Sequence, residues 1–184
     1  MQGFGNRLLD QFRRVFGRRP LVRVDRALWD ELLRELAHRG GGVRESGAFL
    51  LGPTPVDGSP RRAVAAVYYD DLDPTSLTGG ISFSGSAYGR LWDVCDAHGL
   101  AVVADVHTHP GPYVAQSATD RAHPMLAQRG HVALIVPNFA KGSVAPDEVG
   151  VHEYLGDGRW QSTLGAHVRL VLQIERMDRR GRRT

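Results

Sequence analysis

Cysteine is nearly absent: Cys95 is the single one in 184 residues. One thiol cannot close an internal disulfide, which fits a reducing compartment and the expectation of a cytoplasmic protein. It also excludes a structural zinc site built from several cysteines. Cys95 lies in the helical stripe Leu91-Trp92-Asp93-Val94-Cys95, where a free cysteine is more often core than nucleophile. Long apolar runs are missing too. None approaches the roughly 20 residues that span a bilayer, and the N-terminus has no continuous apolar stretch of the signal-peptide kind. Internal repeats and low-complexity segments are absent. So is a basic body. The net charge is +3, but it comes from Arg7, Arg13, Arg14, Arg18 and Arg19 against Asp10 at one end, and Arg179, Arg180, Arg182 and Arg183 against Asp178 at the other. The body between is acidic on balance. That does not look like a nucleic-acid footprint, which would be a basic face on the fold itself, and it suits a basic protein partner.

What the chain does have is the stretch Val106-His107-Thr108-His109-Pro110-Gly111, continued to Ser117-Ala118-Thr119-Asp120. It follows an apolar run, Leu100 to Ala104, of strand length bounded by Gly99. Strand side chains alternate faces, so His107 and His109 project to the same side. Two imidazoles at a strand end can hold a transition metal, and the Pro/Gly loop can swing Asp120 back as a third ligand. Three protein ligands and one open position form the pattern of a catalytic zinc. Such a site needs a base. The candidate is Glu45, in Glu45-Ser46-Gly47-Ala48-Phe49-Leu50-Leu51-Gly52 at the start of a second apolar run.

These residues resemble the JAMM metalloprotease family, also called the MPN+ or JAB domain. Its pattern is an upstream Glu, then His-x-His, seven residues, Ser, two residues and Asp. Here that reads Glu45, His107-Thr108-His109, Pro110 to Gln116, Ser117 and Asp120. Glu-Ser-Gly and His-Thr-His-Pro also look like the bacterial members. The resemblance covers roughly residues 21–156. It implies one Zn²⁺ per chain held by His107, His109 and Asp120, with Glu45 and Ser117 as catalytic residues.

At 184 residues, with 42% hydrophobic and 23% charged residues, the chain is expected to fold around one full core. Residues 1–20 form a basic amphipathic helix through Leu8, Leu9, Phe12, Val15 and Phe16. It reads most simply as docked or frayed, and alternatively as a partner-binding or membrane-surface helix. Residues 21–175 are the domain, and 176–184 a basic tail. Leu21 to Val24 alternates as a strand, and Asp25 caps a helix running to about His38, before Gly40-Gly41-Gly42. A strand over Val43–Leu51, a turn over Pro53–Pro60 and a hairpin partner over Ala63–Tyr69 follow. Asp70, Asp71 and Asp73 read as a solvated strand end rather than a metal site. Ile81-Ser82-Phe83 reads as a short strand, Ser86 as the cap of a helix ending at His98-Gly99, and 117–120 as a tight turn. Pro124 then starts a short helix to Arg129, preceded by an exposed His123. A strand spans His131–Pro137, with His131 at its edge. Asn138–Glu148 is a loop, and Val149–Leu155 a strand. The period-two pattern of Val168, Leu170, Leu172 and Ile174 favours a strand, with a helix as the alternative. The expected fold is α/β (α+β): one mixed sheet with flanking helices. The resemblance specifies a curved, mainly antiparallel sheet in a JAMM or cytidine-deaminase-like sandwich.

The expected chemistry follows from the residues. Zinc acidifies water and polarises a carbonyl, Glu45 shuttles the proton to the leaving amine, and Ser117 donates to the developing oxyanion. A humbler role for Ser117 is to cap the turn and steady Asp120. The family cleaves beside the C-terminal Gly-Gly of ubiquitin-like proteins. The resemblance therefore implies an isopeptidase or peptidase acting on a ubiquitin-like protein or its conjugate, in a pathway with E1- and E2-like partners. The alternatives are trimming of a sulfur-carrier protein and a non-catalytic MPN scaffold, which generally lacks these ligands.

Overall fold

The computed structural model describes residues 20–56, 59–78 and 81–175. The basic helix expected at the N-terminus and the basic tail lie outside them. Two sheets are present where the sequence suggested one. Strands β1 (Val22–Asp25), β3 (Arg61–Ala63) and β9 (Leu172–Glu175) form a small parallel sheet in the order β3-β1-β9. The main sheet has the order β4-β2-β5-β6-β7-β8, formed by β2 (Gly47–Gly52), β4 (Ala65–Tyr68), β5 (Ala101–Thr108), β6 (Val132–Val136), β7 (Gly150–Gly156) and β8 (Arg159–Thr163). Only β5 and β6 pair in parallel within it; the other neighbours are antiparallel. The mixed α/β fold with a mainly antiparallel sheet and flanking helices is therefore present.

Both faces of the main sheet are covered. On one side, helix α1 (Arg26–Gly40) lays Trp29, Leu32, Leu33 and Leu36 against Ala48, Leu50, Leu134 and Val136, and β1 and β9 extend this core. Asp25 caps α1 by accepting from the Ala27 N–H, and Gly41 in the left-handed conformation ends it. On the other side, α2 (Tyr69–Leu72) and α3 (Gly85–His98) enclose Phe49, Leu51, Leu91 and Cys95 in a second core, with Phe83 and Tyr88 packed against it. A strand covered on both faces reads as an unbroken apolar run. This is why the run after Glu45 and the run before His107 are largely hydrophobic.

A bulge in β5 decides which residues face the second core. Leu51 pairs with Val102 but Leu50 pairs with Ala104, so Val103 is the extra residue. Val102 packs toward α3, whereas Val103 and Ala104 both face α1. Past the bulge, the odd-numbered positions 105 and 107 lie on the α3 side, opposite Phe49 and Gly47.

Several expectations need correction. Ile81–Phe83 is not a strand but an extended segment packing Ile81 and Phe83 on the second core. The cap of α3 is Ser84, which accepts from the Ala87 N–H; Ser86 lies in the first turn. Residues 124–129 are not helical, because tertiary bonds claim that backbone: Tyr88 donates to the Met125 carbonyl and Gly130 N–H to Tyr154. The span 168–174 divides into a short helix α5 (Val168–Val171) and then β9. Among the described residues no helix is long and apolar enough to cross a membrane.

Candidate metal centre

The C-terminal end of β5 opens into a cleft of about 650 Å³ on the α3 side of the main sheet. His107 is the penultimate residue of β5 and His109 follows its end, both buried. Their Nε2 atoms lie 3.3 Å apart. Asp120 approaches from helix α4 (Ala118–Ala122), with Oδ1 3.6 Å from His107 Nε2 and Oδ2 3.4 Å from His109 Nε2. One ligand atom from each residue falls within 4.8 Å of the others, so the three side chains can hold a metal ion.

Each candidate ligand is steered by a second contact. Nδ1 of His109 is 3.0 Å from the Tyr113 carbonyl, which makes Nδ1 the protonated nitrogen and leaves the Nε2 lone pair toward the cluster. His107 turns Nδ1 toward Asp105 Oδ2 at 3.8 Å. Ser117 and Asp120 form a reciprocal cap at the start of α4: Ser117 N–H donates to Asp120 Oδ2 at 2.7 Å, and Asp120 N–H donates to Ser117 Oγ at 3.1 Å. The tight turn expected at 117–120 is thus the first turn of a helix. Burial by itself would raise the Asp120 carboxyl. The contact with His109, the charge of His107 and the bonds from Ser117 outweigh it, and the net shift is downward. Burial would likewise lower His109, but Asp120 and the Tyr113 carbonyl win and its net shift is upward. Two neutral imidazoles and one ionised carboxylate are a donor set that suits zinc.

Glu45 lines the same cleft, two residues before β2 rather than within a strand, and its charge acts on His109. The backbone on both sides of it is tied down. Arg44 N–H donates to the Gly40 carbonyl, and Ser46 N–H to Thr108 Oγ1 at 3.0 Å. Ser46 Oγ also donates to the Leu36 carbonyl at 2.7 Å. Glu45 is therefore presented to the cleft from a fixed position. Ser117 is on the rim. Its Oγ accepts from Asp120 N–H, and its hydroxyl lies beside the Asp120 carboxylate that it helps to keep ionised.

The loop between His109 and Ser117 is held by residues the motif does not include. His152, fully buried in β7, places Nε2 2.9 Å from the Val114 carbonyl and Nδ1 2.8 Å from Ser162 Oγ. Burial lowers its pKa. Gly150 admits that carbonyl: a Cβ there would lie 2.0 Å from Val114 O. Asn138, Phe139 and Ala140 all have φ near +55°, and their amides clamp the other side. Phe139 N–H donates to the His109 carbonyl and Asn138 N–H to that of Gly111. Three consecutive left-handed non-glycine residues are costly, and such strain concentrates at sites the surroundings over-determine.

The cleft also exposes what the sequence reading overlooked. Asp105, Tyr69, Met125 and Trp160 line it. His131, expected at a strand edge, is buried with Nε2 hydrogen-bonded to Asp105 Oδ1. The signal for Asp105 was present: a lone carboxylate two residues before His107 in an otherwise apolar run shares its face. Asp70 and Asp71 pair with Arg39 at 2.8 Å each, and Asp73 accepts from Thr75 and Ser84. These contacts replace the solvated strand end that was expected: Asp70 and Asp71 lie in α2, and Asp73 at its C-terminal end is buried. His123 is exposed, on the cleft rim.

No family model matches the sequence. Among solved structures, a protein from Desulfitobacterium hafniense determined in solution aligns at 18% identity and a TM-score of 0.55, over 84% of this chain and 94% of that one. A solution structure from Salinibacter ruber aligns at 18% identity and 0.53, over 86% and 94%. At such identities the likeness establishes a shared α/β fold and nothing finer. A crystal structure of a JAB1/MPN domain protein from Archaeoglobus fulgidus aligns at 17% identity over 78% and 95%, with a TM-score of 0.42, too low to carry weight. What stands is a mixed α/β domain bearing a His-His-Asp group that can bind metal.

Proposed function

We propose that the protein is a zinc-dependent peptidase or isopeptidase of the JAMM type, cutting after the C-terminal Gly-Gly of a ubiquitin-like protein. The observation that carries this reading is the convergence of His107, His109 and Asp120 within 4.8 Å in a cleft that Glu45 and Ser117 also line. Zinc supplies Lewis acidity there, acidifying water and polarising a carbonyl. Glu45 takes the proton from water and passes it to the departing amine. Ser117 donates its hydroxyl hydrogen to the carbonyl oxygen as negative charge develops on it, a contribution of about 2.7–4 kcal/mol for donors of this kind. Neither residue is a metal ligand. None of the described residues lining the cleft is Lys or Arg, which favours a neutral peptide tail over an anionic substrate.

The test is intact-mass detection of cleavage across a panel of ubiquitin-like fusions and conjugates, with zinc-loaded wild type beside Glu45→Gln. The expected result is a cut after Gly-Gly by wild type and none by the variant, which still retains its zinc. Equal turnover in Glu45→Gln would remove Glu45 from the mechanism.

A further inference from the structure

Behind the three ligands lies a buried carboxylate that the five-residue motif does not contain. Asp105 is 1% exposed, in the middle of β5. Burying an ionised carboxylate costs free energy unless its oxygens are occupied, and here they are. Oδ1 accepts from His131 Nε2. Oδ2 accepts from the Tyr69 hydroxyl at 3.3 Å and faces His107 Nδ1 at 3.8 Å. The Tyr69 ring reaches this position because β2 carries glycine opposite His107; a Cβ on Gly47 would lie 2.2 Å from that ring. Strand alternation puts Asp105 on the same face as His107, and the bulge at Val103 turns that face toward α3 and Tyr69. Bulge, glycine, tyrosine and second histidine thus converge on one carboxylate whose remaining neighbour is a metal-ligand ring.

We infer that Asp105 is a positioning residue for the metal centre: it turns Nδ1 of His107 toward itself, fixes the ring and its tautomer, and so aims Nε2 at Asp120 and His109, with His131 and Tyr69 holding the carboxylate in place. The inference rests on the reading of His107, His109 and Asp120 as metal ligands. A carboxylate behind a ligating imidazole raises its basicity and removes its freedom to rotate. It never touches substrate.

The experiment is zinc affinity of chelator-stripped protein, measured by competition with a chromophoric chelator for wild type, Asp105→Asn and Tyr69→Phe. The visible absorption of the cobalt(II)-loaded proteins is recorded beside it. Asp105→Asn keeps the side-chain shape and removes the charge. It is expected to weaken zinc binding roughly tenfold to a hundredfold and to alter the cobalt bands, while circular dichroism stays that of wild type. Tyr69→Phe removes one hydrogen bond to Oδ2 and is expected to lose affinity in the same direction by less. A folded Asp105→Asn with wild-type zinc affinity and wild-type cobalt bands overturns the inference and leaves the metal site standing. If Asp105→Asn does not fold, Tyr69→Phe decides: unchanged affinity and bands overturn the inference. No zinc binding by wild type itself would overturn the metal reading instead.

Discussion

His109 and Asp120 form an ion pair whose members shift in opposite directions, and this has a consequence for pH. In chelator-stripped protein the lowered Asp120 carboxyl contributes stability above its ordinary value of 3.8, lost as pH falls through its folded value. The raised His109 contributes stability below its ordinary value of 6.5, lost as pH rises through its folded value. Between those two ordinary values both contributions are present. Metal demands the opposite state of the histidines, because ligating imidazoles must be neutral. Going from about pH 6 to about pH 8, stripped protein should therefore lose stability while the rise in Tm on adding zinc grows. Thermal melts of stripped and zinc-loaded protein at both pH values check this. A larger zinc-induced rise at the lower pH would count against these ligands. His107, His109 and Asp120 were legible as a candidate metal group from strand alternation and the loop that follows, whereas Glu45 and Ser117 drew their assigned roles from the family resemblance. Asp105 carried a signal in its place two residues before His107 that the motif does not use, and His131 carried none, because a pattern of ligands says nothing about what stands behind them.

Elements explain how the ligands meet. β5 and the residue just past its end supply two of the candidate ligands, α4 the third, and the loop between is seated by contacts from β7 and the left-handed turn at 138–140. Gly150→Ala would push a methyl group against the Val114 carbonyl and the His152 ring. The expected effect is a loss of about 1–3 kcal/mol in stability by urea unfolding. Zinc affinity should weaken with it, because the adjacent Tyr113 carbonyl steers His109. Wild-type zinc affinity in a destabilised Gly150→Ala would separate loop seating from metal binding. Element type was readable wherever periodicity and caps agreed, as in α1 with Asp25 and Gly41. It was misread at Ile81–Phe83 and at 124–129. In those segments partners distant in sequence, the second core and Tyr88, take the backbone and side chains that local pattern assigned elsewhere.

For the whole molecule, the division of the main sheet into two faces separates stability from chemistry. The face toward α1 is continuous core, whereas the other holds a smaller aromatic core and the cleft. Leu134 is fully buried on the α1 side. Leu134→Ala is expected to cost about 2–5 kcal/mol by denaturant unfolding while leaving the zinc affinity of the folded protein unchanged. A parallel loss of affinity would show that the two faces are coupled. The fold class followed from alternating strand and helix signals, but the small parallel sheet did not. Its strands β1, β3 and β9 come from distant parts of the chain, and no local signal encodes that pairing.

The central claim is one metal ion held by His107, His109 and Asp120. The zinc-to-protein ratio after zinc loading and exhaustive dialysis tests it most directly, comparing wild type, Glu45→Gln and Asp120→Ala. The account predicts one zinc per chain in wild type and in Glu45→Gln, and clear loss in Asp120→Ala. A zinc-free wild type, or an Asp120→Ala that retains its full complement, would contradict it.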